Sequence, residues 1–209
     1  MNLQVIFEAQ TKLMVKYHHV ETQVMGALKY PTRVLHQAET QDTHVHEHIR
    51  SLLWKCLEEL GEASREVDLE VVDYSGDMPG AFKVELIDAL HFLTEACTFA
   101  AIPVEEFQLG IPFSDIFVDD PHDNYLDTDD YAILVGRISM CFADATYCLK
   151  GKPWKQDRAF TDWGKFKGKM VDAYKEFMVM LSFFMGPEEI ISIYLDKKSV
   201  NEKRMESGY

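Results

Sequence analysis

Apolar positions recur at three- and four-residue spacing along most of the chain, and the two-residue alternation of a half-buried strand is scarce. The first such stretch is LQVIFEAQTKLMVKY, where Leu3, Ile6, Gln10, Leu13 and Tyr17 share a face. Residues 26–46 interrupt the pattern with Gly26, Pro31 and a polar tract. It resumes from about Glu47 to Val71, with Ile49, Leu52, Leu53, Cys56, Leu60, Ala63 and Val67 as its stripe. The turn signal DYSGDMPG follows. A third helix is predicted over Ala81–Ala101, ahead of Pro103. VEEFQLGIPFSDIFVDDPHDNYLDTDD reads as a long connection with a helical turn at its start. A fourth helix is predicted over Tyr131–Leu149, with Asp129 or Asp130 as N-cap. A fifth covers Trp163–Met185 and is broken by Gly186-Pro187; a last one carries Pro187 in its first turn. The expected fold class is all-α, a helical bundle forming a single domain over residues 1–209.

The third helix is unusual. Leu86, Leu90, Leu93 and Cys97 line one side, and Phe92 and Phe99 the other. A helix apolar nearly all round is a central one. Yet VELIDALHFL sets Glu85 and Asp88 on the Phe side, with no Lys or Arg at three or four residues from Asp88. Buried carboxylates need a cation. On the second helix Glu59 and Glu62 fall at the edge of the apolar stripe, three residues apart, while Glu58 points away. A lone ExxE is an ordinary solvated helix face. ExxE on one helix and ExxD on the next give four hard oxygen donors, the ligand type that Mg²⁺ takes. Pairing of these acids with a Lys or Arg elsewhere is the competing reading.

Charge and composition narrow the picture. A net charge of -14 over 209 residues repels nucleic-acid phosphates, so no nucleic-acid partner is expected. No apolar run approaches the roughly 18 to 20 residues that span a bilayer, and the N-terminus lacks a basic n-region and cleavage site. A soluble, cytoplasmic protein with no membrane partner is the expectation. Cys56, Cys97, Cys141 and Cys148 form no CxxC pair and read as reduced core residues.

With these residues in view, the chain resembles a family. LEELGEA followed by VELIDALHFL is similar to the all-α nucleoside triphosphate pyrophosphohydrolases, and more narrowly to the dimeric dUTPases and the dCTP/dUTP pyrophosphatases of large bacteriophages. LQVIFEAQTKLM is similar to the N-terminal helix of that group, and YLDKKSVNEKRMESGY to its closing signature. Residues 103–187 are matched only loosely. Where the family has Lys-Asn and Arg-Gln, this chain has Lys197-Lys198 and Arg204-Met205.

The resemblance implies Mg²⁺-dependent hydrolysis of dUTP, dCTP or both to the monophosphate and pyrophosphate. It implies that Glu59, Glu62, Glu85 and Asp88 hold two or three Mg²⁺ ions, with Glu59 or Glu62 also the general base. It places Gln10 at the pyrimidine, His91 near the deoxyribose, Lys197 and Arg204 at phosphate, and Asn201 at sugar or base, with Tyr209 in the closing signature. It also implies a homodimer, and host cytoplasm if the chain is phage-encoded. Gln10 can offer both a donor and an acceptor. The alternatives are the same fold acting on another or modified nucleotide, and a non-enzymatic helical scaffold whose acids form structural ion pairs.

Other features carry less. His44, His46 and His48 alternate in THVHEH, which suits a strand-borne metal site, but no second cluster completes it. DDPHDNYLDTDD lacks the glycine of a calcium loop and reads as a solvated acidic loop. The basic, aromatic stretch from Lys150 to Lys169 reads as a phosphate clamp, a partner contact or solubilising charge. Trp54 and Trp154 could stack on a base, although helical spacing puts Trp54 in the core.

Overall fold

The computed structural model describes residues 2–25, 43–66, 78–108, 128–149 and 161–207. These residues hold seven helices and no strand: α1 (Leu3–Met25), α2 (Thr43–Glu66), α3 (Gly80–Phe99), α4 (Val104–Gln108), α5 (Thr128–Tyr147), α6 (Trp163–Ser182) and α7 (Pro187–Glu206). The all-α class follows directly. No single helix among the described residues is long and apolar enough to cross a membrane.

The nearly all-round apolar character of α3 puts it at the centre. It packs along α2 and also touches α1, α6 and α7. Phe82, Leu86, Ile87, Leu90, Leu93 and Cys97 are fully buried. α5 lies along α6, and α1 along α7. An aromatic cluster of Phe7, Phe107 and Tyr174 joins α1, α4 and α6, with ring centroids 4.8–5.6 Å apart.

The ends of the helices obey local chemistry. The Asp162 carboxylate accepts a hydrogen bond of 2.9 Å from the Lys165 amide and caps α6. Pro187 opens α7, followed by Glu188 and Glu189, which suit the positive end of the helix dipole. α3 ends in a Schellman turn, in which the Ile102 amide donates to the Cys97 carbonyl and the Ala101 amide to the Thr98 carbonyl. Ala101 sits there with φ of 52°, where glycine is the usual choice, at a cost of about 1 kcal/mol. The burial of Ile102 secures the turn instead.

Several sequence expectations need correction. α2 begins at Thr43, so THVHEH is helical and not strand-borne. Two residues apart on a helix, His46 and His48 face different neighbours: His46 lies edge-on to Trp163 and His48 to Phe99. The side chain of His44 and all of Trp154 lie outside the described residues. α5 begins at Thr128, so Asp129 and Asp130 fall within its first turn and are not its N-cap. Trp54 is 64% exposed, and its indole N–H donates to Glu58 at 2.9 Å, so it is no core residue. Cys56, Cys97 and Cys148 are buried thiols, and Cys141 is half-buried.

Candidate active site

α2 and α3 pack closely enough for the carboxylates predicted on their facing edges to meet. Oxygens of Glu59, Glu85 and Asp88 all lie within 4.8 Å of one another, and each residue is half-buried. Glu62 does not join this group. One turn beyond Glu59 it is exposed, and it lies 3.5 Å from Arg65. Its charge still acts on all three carboxylates.

The electrostatics of the cluster are those of acids short of cations. Burial, then the Asp88 charge and a hydrogen bond with Glu85, push the Glu59 carboxyl up to about 7. Burial and the Asp88 charge also raise Glu85, opposed by its hydrogen bond to Glu59 and by Lys197. Asp88 is raised by burial, against the pull of Lys197 and Arg204. Lys197 Nζ on α7 lies 2.5 Å from Asp88 Oδ2, with both side chains more than four-fifths buried. One lysine thus faces three converging carboxylates. The unbalanced charge shows in the upward direction of all three carboxyl groups.

A second polar group adjoins the first, because Asp88 and His91 are one turn apart on α3, as are Tyr194 and Lys197 on α7. Gln10 of α1 is buried, and its Oε1 accepts from the Tyr194 hydroxyl at 2.7 Å. The same oxygen lies 2.9 Å from His91 Nδ1, and Gln10 Nε2 donates to Glu95 at 3.3 Å. The Glu95 carboxylate only accepts, which fixes the amide orientation. His91 therefore carries its proton on Nδ1, and its Nε2 is a bare acceptor. That Nε2 is buried and has no hydrogen-bond partner among the described residues. Burial lowers the imidazole to about 3, opposed by the Tyr194 backbone and reinforced by Lys197 and Lys198. The ring stacks on Tyr194 at 3.7 Å between centroids.

The remaining candidates distribute along α7. Asn201 is half-buried one turn beyond Lys197, and Arg204 is exposed near the end. Tyr209 and Gly208 lie outside the described residues. The two departures from the family signature have local roles. Lys198 pairs with Glu202 at 2.8 Å, and Met205 is buried. Lys16 ties α1 to α7 through Glu206 at 2.7 Å. Sequence reasoning missed Tyr194 and Glu95. Tyr194 was findable, since it stands three residues before Lys197, on the same side of the helix.

The perturbed acids make stability depend on pH in the absence of divalent ions. The folded chain holds the Glu59 proton between about pH 4.5 and 7, while the unfolded chain has released it. Stability from this group therefore falls as pH rises through that window. His91 acts oppositely: its depressed folded value contributes stability above about pH 6.5, lost as pH falls toward 3. Glu59→Gln isolates the first effect. In chelator, it should exceed the wild type by about 1 kcal/mol at pH 8, after allowance for solvent screening, and match it near pH 4.5. Thermal unfolding across that range checks this; equal pH slopes for the two proteins would refute it.

No protein-family model, curated protein or solved structure matches this chain.

Proposed function

We propose that the chain is a Mg²⁺-dependent pyrophosphohydrolase of pyrimidine deoxynucleoside triphosphates, releasing the monophosphate and pyrophosphate. The observation that carries this reading is the meeting of Glu59, Glu85 and Asp88 from two helices, with a single lysine against them. The set offers only hard oxygen donors, which fits Mg²⁺ and does not favour a softer metal. Bound there, Mg²⁺ would neutralise triphosphate charge and acidify a water.

The chain's own groups have separate tasks. Glu59, at the edge of the carboxylate group, takes the proton of the attacking water. Lys197 and Arg204 neutralise phosphate oxygens beside Asp88. His91 Nε2 accepts a sugar hydroxyl, and Asn201 contacts sugar or base. Glu62, with its charge at the border of the cluster, supports the bound cations. The fuller reading includes a homodimer in the cytoplasm, that of a host if the chain is phage-encoded.

Base preference follows from Gln10. Both lone pairs of its Oε1 are engaged by Tyr194 and His91, so the amide has only an N–H left to offer. Set against position 4 of the ring, an N–H suits the keto group of uracil and not the amino group of cytosine. Pyrophosphate release from a panel of nucleotides should therefore show dUTP ahead of dCTP by about tenfold or more. The rate should vanish in chelator.

A helical scaffold is the second reading, and the close Asp88–Lys197 pair favours it. It predicts no pyrophosphate from any nucleotide with Mg²⁺ present. That result would overturn the enzymatic assignment.

A further inference from the structure

Four side chains from α1, α3 and α7 form one chain of hydrogen bonds beside the carboxylates. The Tyr194 hydroxyl donates to Gln10 Oε1 at 2.7 Å, His91 Nδ1 lies 2.9 Å from the same oxygen, and Gln10 Nε2 donates to Glu95 Oε2 at 3.3 Å. His91 and Glu95 stand four residues apart on α3, so a single turn of that helix holds both ends of the Gln10 amide. Gln10, His91 and Tyr194 are buried, and Glu95 is half-buried.

Three of the four can play either part. An amide can turn over and exchange its N–H for its oxygen. A neutral imidazole can carry its proton on either nitrogen, and a phenol hydroxyl donates or accepts. The bonds therefore have two possible directions, the observed one and its reverse. In the reverse, Gln10 Nε2 donates to Tyr194 and to His91 Nδ1, and His91 carries its proton on Nε2. That nitrogen is buried without a hydrogen-bond partner among the described residues, so it favours neither direction. Glu95 does. An ionised carboxylate only accepts. Reversal would turn the Gln10 oxygen toward it, replacing a charge-assisted hydrogen bond with two opposed acceptors.

We propose that Glu95 is a positioning residue: it sets the direction of the hydrogen bonds among Gln10, His91 and Tyr194 and, through Gln10, selects the base that the site accepts. The direction of the bonds stands on the geometry alone, while its consequence for nucleotides rests on the hydrolase reading above. Held by Glu95, Gln10 has its second N–H to offer, which suits the 4-keto group of uracil. Turned over, the amide would offer a lone pair of its oxygen in the same place, which suits the 4-amino group of cytosine. Glu95 acts without touching base, sugar or phosphate.

Glu95→Gln tests this, because glutamine keeps the size of the side chain and fits either direction. Nitrogen NMR of the imidazole rings in the full chain, without nucleotide, reads the proton position; His91 is assigned by the signals lost in His91→Asn. In the wild type the bare nitrogen should be Nε2. In Glu95→Gln the proton should divide between the two nitrogens, with circular dichroism unchanged. Tyr194→Phe removes a member that can act either way, so there the proton should stay on Nδ1. Pyrophosphate release reads the consequence. In Glu95→Gln, kcat/KM for dUTP should fall about tenfold relative to that for dCTP, with kcat for dUTP held within about twofold. The proposal falls if wild-type His91 carries its proton on Nε2, if Glu95→Gln keeps it wholly on Nδ1, or if the proton divides and the preference for dUTP stays. A wild type that hydrolyses neither nucleotide overturns the hydrolase reading instead, and the ring signals alone then decide whether Glu95 sets the bonds.

Discussion

Asp88→Asn and Glu85→Gln should each slow pyrophosphate release by at least about a thousandfold, with helix content unchanged by circular dichroism. Charge stabilisation at such a centre is worth several kcal/mol, and each 1.36 kcal/mol is a factor of ten. Both carboxylates sit in the converging group, and no described residue stands ready to replace either. The fold should tolerate the change, because α3 is held by Phe82, Leu86, Leu90 and Leu93 and not by its acids. Removing one negative charge also eases the repulsion that raises Glu59. Glu58→Gln is the control: that residue is exposed and outside the group, and its loss should leave the rate alone. Full activity in both site variants would sink the enzymatic reading.

Lys197→Met should lower the melting temperature of the metal-free protein by about 4–8 °C. The lysine and Asp88 form a mostly buried pair, and removing one partner of such a pair leaves a charge uncompensated. A loss of about 2 kcal/mol in a chain of this size gives that shift. Millimolar Mg²⁺ should return most of it, because a divalent ion supplies the charge that the ammonium did. The wild type should respond less, and Asp88→Asn combined with Lys197→Met should hardly respond. This experiment also separates the two functional readings. A purely structural ion pair predicts the same loss with no recovery on adding Mg²⁺.

The helical pattern of the chain was legible because its stripes are strong. Ile49, Leu52, Leu53, Cys56, Leu60 and Ala63 were grouped by spacing and are all buried. Glu85 and Asp88 stood out because they interrupt an apolar helix. The meeting of these two with Glu59 needed only that α2 and α3 be neighbours. Glu62 was harder: its helical angle allowed convergence, but the angle does not say how far a side chain stands from the opposing helix. Trp54 was misplaced for a related reason, since it lies beside the apolar stripe and its indole found Glu58 at the surface. The Gln10–His91–Tyr194 contact joins residues 81 and 184 positions apart, and no local pattern encodes it.

The turn at Ala101 and Ile102 bears on how the acids behave. It anchors the exit of α3, the helix that carries Glu85 and Asp88. The crowding of these acids with Glu59 belongs to the folded chain itself, and it shows in their raised values. On the proposed reading, a divalent cation would find oxygens of Glu59, Glu85 and Asp88 already within 4.8 Å of one another.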